Sequence, residues 1–208
     1  MVEKKLDRPR QNDITNYGFG PYLVSEDIRE GYIQGITFRS KPIQYSVIDG
    51  KAIFEGDIVI DDPDEMIDRA KRIGVLPDAA IQRGIGITGM KYRWPNRIIP
   101  YEINANLTNQ SRLTDAIEHW HQNSRMRFIQ RTPQNANQYP NYIEFIQGNG
   151  CWSYVGMTGN GKQQISLGAG CLKGQAIHEI GHSVGLWHEQ SREDRDKFVR
   201  INWQNIDP

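Results

Sequence analysis

The run His178-Glu179-Ile180-Gly181-His182-Ser183-Val184-Gly185-Leu186-Trp187-His188 puts three imidazoles and a carboxylate at the spacing a catalytic zinc ion requires. On a helix, His178 and His182 lie one turn apart on the same face, so both rings can reach one cation at about 2.0–2.1 Å. Glu179 points away from those two bonds yet stays beside the metal, where it can take a proton from a water molecule. The third ligand, His188, must come from outside the regular helix. Gly185 supplies the exit, because a glycine there can adopt the left-handed backbone that ends a helix and turns the chain back under the metal. Three protein ligands leave one position open, which separates a catalytic zinc site from a closed structural one. The chemistry implied is amide hydrolysis by an activated water, with Glu179 as general base and no covalent intermediate.

These residues need a scaffold. Residues 173–187 read as the metal helix, with Ala176, Ile177, Ile180 and Val184 as its apolar contacts. Residues 109–126 read as a second helix that backs a sheet, with Leu113, Ala116, Ile117 and Trp120 on one face and Ser111 as its N-cap. His119 and His121 on that helix face different sides and have no metal spacing. Residues 98–103, 127–131, 142–147 and 163–167 read as strands. The last of them is expected at a sheet edge, where an extended substrate could pair with it. Trp152, Tyr154 and Trp187 are expected in the core.

Upstream, residues 32–38, 43–48 and 52–60 are rich in β-branched and aromatic types, and Asp49-Gly50 marks a two-residue hairpin turn between the last two. Asp61-Asp62-Pro63-Asp64 reads as a helix start leading through Met66 to an end near Gly74. Residues 72–84 form a linker-like passage in which a trypsin-like enzyme could cut after Arg83.

Lys plus Arg equals Asp plus Glu at 25 each in the 208 residues, so nothing points to a nucleic acid partner. Residues 1–83 hold 12 basic and 15 acidic side chains, leaving 13 and 10 for residues 84–208. That asymmetry weakly favours docking of one part on the other. No apolar run approaches the ~20 residues of a membrane span. Cys151 and Cys171 are the only cysteines, enough for one bridge or two buried free thiols.

Beyond the histidines, Glu189-Gln190-Ser191-Arg192-Glu193-Asp194-Arg195-Asp196 completes a pattern that resembles the signature of the astacins, within the metzincin zinc peptidases. Phe198 to Ile206, Cys151 to Gly156 and Trp94 to Ile103 are similar to further astacin segments, so the likeness runs from about Gly84 to Pro208. The resemblance implies an α+β fold: a metzincin-like upper subdomain with a twisted mixed sheet, a backing helix and a zinc-binding active-site helix. A β-rich pro-segment would precede it. His178, His182 and His188 would hold Zn2+, Glu179 would be the base, and Cys151 would pair with Cys171. Glu189 would be a buried carboxylate that meets the new N-terminal amine after activation. Arg192, Asp194, Arg195 and Asp196, which by themselves fit either a surface turn or a buried ion network, would form the latter.

Phe54-Glu55-Gly56-Asp57 resembles the Phe-x-Gly-Asp element of astacin pro-segments. A carboxylate oxygen of Asp57 is a good zinc ligand that would displace the reactive water, and Gly56 would let the backbone pass close to the metal. This gives two regions: a latency segment at 1–83 and the N-terminal part of a catalytic domain at 84–208, with activation between Arg83 and Gly84. The implied protein is secreted, its signal peptide lying outside this sequence, and it acts on proteins or peptides. Two family features, a methionine turn and a following tyrosine, are not found before Pro208. The lower subdomain is thus expected to be largely missing, supplied by a longer chain or by a complementing C-terminal one. Arg125 stands where the family has a cysteine, which removes a second bridge. The competing expectation is a non-catalytic module in which the pro-segment permanently clamps a zinc-holding half domain.

Overall fold

The computed structural model describes residues 25–33, 41–66, 89–192 and 194–205. Strands β1 (Ile28–Ile33), β2 (Lys41–Ile48), β3 (Lys51–Phe54) and β4 (Ile58–Asp61) come from the upstream region; β5 (Ile98–Ile103), β6 (Arg127–Gln130), β7 (Tyr142–Ile146), β8 (Cys151–Tyr154) and β9 (Lys162–Leu167) come from the downstream one. All nine join one sheet in the order β1-β2-β3-β4-β8-β9-β7-β5-β6. Downstream, β6, β5, β7 and β9 run parallel and β8 returns antiparallel on β9. Upstream, β1 to β4 form an antiparallel meander. The seam between them is parallel, with Ile58 opposite Ser153 and Val59 opposite Tyr154.

The helices α1 (Ser111–Asn123) and α2 (Lys173–Ser183) cover the downstream strands. Leu113, Ala116 and Ile117 of α1 and Ala176 and Ile180 of α2 share one core with Ile99, Ile143, Phe145, Ile165 and Leu167 of the sheet. This is the α+β arrangement, a mixed sheet with a backing helix and an active-site helix, that the sequence implies.

Several local expectations change. β9 lies between β8 and β7 and is no edge; on that side the downstream strands end at β8, and β4 covers it. The reason is the antiparallel return of Cys151–Tyr154, which occupies the side of β9 a substrate would need. Residues 52–60 are two strands instead of one, because Glu55 (φ 52) and Gly56 (φ 92) both take left-handed backbone and reverse the chain. Asp49 (φ 49) and Gly50 (φ 69) make the expected hairpin turn, closing Ile48 against Lys51. β1 starts at Ile28, earlier than expected, and residues 34–38 lie outside the described ones. Ser111 is the first residue of α1 and not its N-cap; its hydroxyl donates to Asn109 Oδ1 at 2.9 Å, and Gln110 takes the cap position. Asp62 caps the short helical turn that follows β4, its Oδ1 accepting from the Glu65 N–H at 2.8 Å, and Met66 is fully buried. The rest of that expected helix, the passage 72–84 and the expected cut between Arg83 and Gly84 lie outside the described residues.

Candidate metal centre

Helix α2 starts at a half capping box: the Gln175 side-chain oxygen accepts from the Leu172 N–H at 3.0 Å. It ends where glycine lets it. Gly185 has φ 107, its N–H bonds the His182 carbonyl at 2.8 Å, and the Leu186 N–H reaches back to the Gly181 carbonyl at 3.0 Å. These are the two bonds of a Schellman ending with glycine at the left-handed position. Regular helix therefore stops at Ser183, short of the expected 187, and His188 follows in extended backbone (φ −67, ψ 129). The Trp94 indole donates to the Ser183 carbonyl at 2.8 Å and the Trp120 indole to the Ile177 carbonyl at 3.1 Å, pinning the helix to the turn before β5 and to α1.

The three histidines converge. His178 Nε2 lies 3.0 Å from His182 Nε2 and 3.1 Å from His188 Nε2. Asp57 reaches into the same space from the turn between β3 and β4: its Oδ2 is 3.3 Å from His178 Nε2, and its Oδ1 is 3.1 Å from His188 Nε2 and 3.8 Å from His182 Nε2. One ligand atom from each of these four residues lies within 4.8 Å of the others. Four atoms bonded tetrahedrally at zinc distances are about 3.3–3.4 Å apart, so the cluster has the scale of a zinc site.

The hydrogen bonds at the back of the rings test whether a cation fits. His182 Nδ1 donates to the Leu186 carbonyl at 2.7 Å, and His188 Nδ1 donates to the Glu55 carboxylate at 2.6 Å. A neutral imidazole that donates from Nδ1 carries its lone pair on Nε2. Beside the Asp57 carboxylate these two Nε2 atoms need a positive charge between them, either a bound cation or, in the metal-free chain, a proton on His188 Nε2. Glu179 Oε2 is buried without a hydrogen-bond partner among the described residues.

The same geometry perturbs the titrations. Burial alone would raise Asp57, but hydrogen bonds from His178 and His188 overcome it and bring its pKa down to about 2. Burial disfavours a charged His188, yet the carboxylates of Asp57 and Glu55 raise it to about 9. Burial lowers His182 to about 4. Glu179, only 1% exposed, is pushed well above the usual carboxylate range by burial and then by the charge of Asp57.

Of the other residues singled out by sequence, Cys151 and Cys171 are bonded to each other, tying β8 to the approach of α2. Phe54 packs edge-on against Trp187 with ring centroids 6.0 Å apart. Trp152 is buried, and Tyr154 and Trp187 pack as partly buried members of small clusters. His121 Nε2 accepts from the Phe128 N–H at 3.0 Å and His119 contacts Asn123, so neither approaches the metal cluster. In this chain, with the upstream segment attached, Glu189 is exposed and receives Arg192 at 2.9 Å. Arg192 also holds Asp194 at 2.8 Å, while Asp196 is 88% exposed. This is a network at the surface, its carboxylates facing solvent while the Arg192 guanidinium lies over the Phe198 ring at 4.3 Å.

Three residues escaped the sequence reading. Glu55 and Ser191 meet each other and His188 across more than 130 positions. Arg112, buried in α1, gives its guanidinium to the carbonyls of Leu167, Gly168 and Cys171, the loop that leads into α2. The only local signal was Glu55 itself, inside the four-residue element that carries Asp57.

Residues 86–208 match the sequence profile of the astacin peptidase family. The chain is 40% identical over 167 residues to Blastula protease 10 of Paracentrotus lividus, covering 74% of this chain and 26% of that protein. It is 34% identical over 155 residues to Zinc metalloproteinase nas-4 of Caenorhabditis elegans, covering 73% and 45%. The chain thus spans less than half the length of these relatives. The share of this chain matched by Blastula protease 10 exceeds residues 86–208, so that likeness extends upstream of residue 86. A solved structure, High choriolytic enzyme 1, a hatching enzyme zinc-protease from Oryzias latipes, is similar at 34% identity and a TM-score of 0.45 over 56% of this chain and 58% of that one.

Proposed function

This chain belongs to the astacin family of peptidases, and on that premise we propose that it is the latent form of a zinc endopeptidase acting on proteins or peptides. Residues 1–83 are the inhibitory pro-segment and residues 84–208 the N-terminal part of the catalytic domain. His178, His182 and His188 hold the zinc ion, and Asp57 takes the remaining position. The observation that carries this reading is the cluster of the Asp57 carboxylate with three imidazole nitrogens, two of whose rings are already hydrogen-bonded from behind.

When bound, zinc supplies a Lewis acid that polarises the scissile carbonyl and makes a water nucleophilic near neutral pH. Glu179 accepts the proton of the attacking water and passes it to the departing amine. Its raised proton affinity suits that task, since an ordinary carboxylate would hold the proton too weakly. Strand β8 offers the edge along which an extended substrate pairs, and in the uncut chain β4 lies on that edge. Phe54 and Gly56 support the block, Phe54 by anchoring on Trp187 and Gly56 by permitting the turn.

Cleavage after Arg83 by a trypsin-like enzyme would remove β1 to β4 and expose Gly84 as a new N-terminus. Glu189, exposed in the uncut chain and held there by Arg192, would then be available to the new ammonium. The disulfide supports secretion, because such bonds persist in oxidising compartments, and no described helix is long and apolar enough to cross a membrane. Residues beyond Pro208, in the same chain or a complementing one, would complete the lower subdomain.

The test is peptide hydrolysis by the zinc-loaded protein before and after limited trypsin cleavage, with Asp57→Asn alongside and each chain extended as completion of the domain requires. Activity should appear on cleavage in the wild type and already before cleavage in Asp57→Asn. Equal activity of the uncut and cut wild type would overturn latency.

A further inference from the structure

His182 and His188 are oriented by different parts of the chain. The Nδ1 of His182 is held by the Leu186 carbonyl, a neighbour at the end of its own helix. The Nδ1 of His188 is held by Glu55, which belongs to the turn between β3 and β4. His188 sits past the end of α2 in extended backbone, where no helical ladder fixes it. One Glu55 oxygen takes His188 and the other accepts the Ser191 hydroxyl, so the carboxylate bridges two residues of the same post-helix turn. Glu55 does this from left-handed backbone, φ 52, a conformation that a residue with a side chain adopts only where its surroundings hold it.

A carboxylate behind a metal-bound imidazole fixes the ring's tautomer and orientation and strengthens it as a ligand. We propose that Glu55 is a positioning residue for the metal, acting through His188, so that the uncut chain holds zinc more tightly than the cut one. The upstream segment would then retain the metal as well as cover it, and its removal would withdraw two carboxylates at once: Asp57 from the metal and Glu55 from behind its third ligand. This rests on the reading of His178, His182 and His188 as a zinc site and not on blockage by Asp57.

The experiment is competition for Zn2+ between a chromophoric chelator and the uncut chain, for wild type, Glu55→Gln, Ser191→Ala and Asp57→Asn. Visible spectra of the Co2+-loaded proteins and thermal unfolding of the metal-free ones accompany it. Glu55→Gln should weaken zinc binding by about 10- to 100-fold and shift the cobalt bands, since the ligand strength of His188 changes. Ser191→Ala, which keeps the contact to His188, should stay within a few-fold of wild type. Zinc affinity and cobalt spectrum unchanged in a folded Glu55→Gln would overturn the proposal, showing that Glu55 serves only to dock the segment. Peptide hydrolysis by the same uncut samples separates the two readings: an active uncut wild type removes latency, while weakened zinc binding in Glu55→Gln still upholds the role of Glu55.

Discussion

The two parts of the sheet are built differently. Strands β5 to β9 and the two helices enclose one large core running from Trp94 to Val184, reinforced by the Cys151–Cys171 bond and by the buried Arg112 that binds the loop before α2. Among the described residues, strands β1 to β4 have no comparable core. Ile43, Tyr45, Ala52 and Met66 form one small cluster that includes Trp187, and Ile53 and Val59 form another with Trp152. In both clusters the downstream region supplies an indole. The downstream part is thus a body with its own interior, and the upstream meander is ordered by the surface it covers. On the proposed latency the segment gains from this arrangement, because local stability follows buried apolar contact and can be low where that contact is borrowed.

The largest expected effect lies in the body. Glu179→Ala in the cut enzyme should lower kcat by roughly 100- to 10,000-fold while zinc content by atomic absorption stays at one per chain. Turnover near the wild-type rate would remove Glu179 as the base. A sharper test of the two-part description compares Ile165→Ala with Ile53→Ala, each a fully or nearly fully buried isoleucine costing about 2–5 kcal/mol. Ile165→Ala should lower global stability in denaturant. Ile53→Ala should instead speed amide exchange in β1 to β4 and leave β5 to β9 protected. Equal loss of protection throughout would mean that the sheet is one cooperative unit.

The smallest effect is the pH dependence of the metal-free uncut chain. His188 is raised to about 9 against an ordinary value near 6.5, so the stability it contributes is present below 6.5 and lost as pH rises through 9. Glu179, also raised, adds a loss of the same sign as it ionises, and His182, at about 4, is neutral across the window. Melting temperature should therefore fall between pH 6.5 and 9. A rise over that window would contradict the charge assignment at the cluster.

The convergence of the three histidines is legible because their spacing is helical: the i, i+4 pair, the glycine exit and the returning histidine are all local. The disulfide and the Asp57 element were legible only through likeness to a family, since nothing in two cysteines or one aspartate says what lies opposite. The apolar runs Ala52-Ile53-Phe54 and Ile58-Val59-Ile60 look like one strand along the sequence, because the turn between them is made by the left-handed backbone of Glu55 and Gly56, which composition does not reveal. The edge position expected for β9 goes instead to β8, because which strand lies beside β9 is decided by pairing and not by composition, and Cys151–Tyr154 returns antiparallel on it. Glu55, Ser191 and Arg112 act through contacts 55 to 136 positions away, which no window along the chain contains.

The central claim is that one cation joins the body to the segment that covers it. Anomalous diffraction at the zinc edge on crystals of the uncut, zinc-loaded chain tests it most directly. A single peak is expected, with His178, His182 and His188 as ligands and an Asp57 carboxylate oxygen as the fourth. A peak on the three histidines with water in place of Asp57, or zinc bound elsewhere, would contradict it.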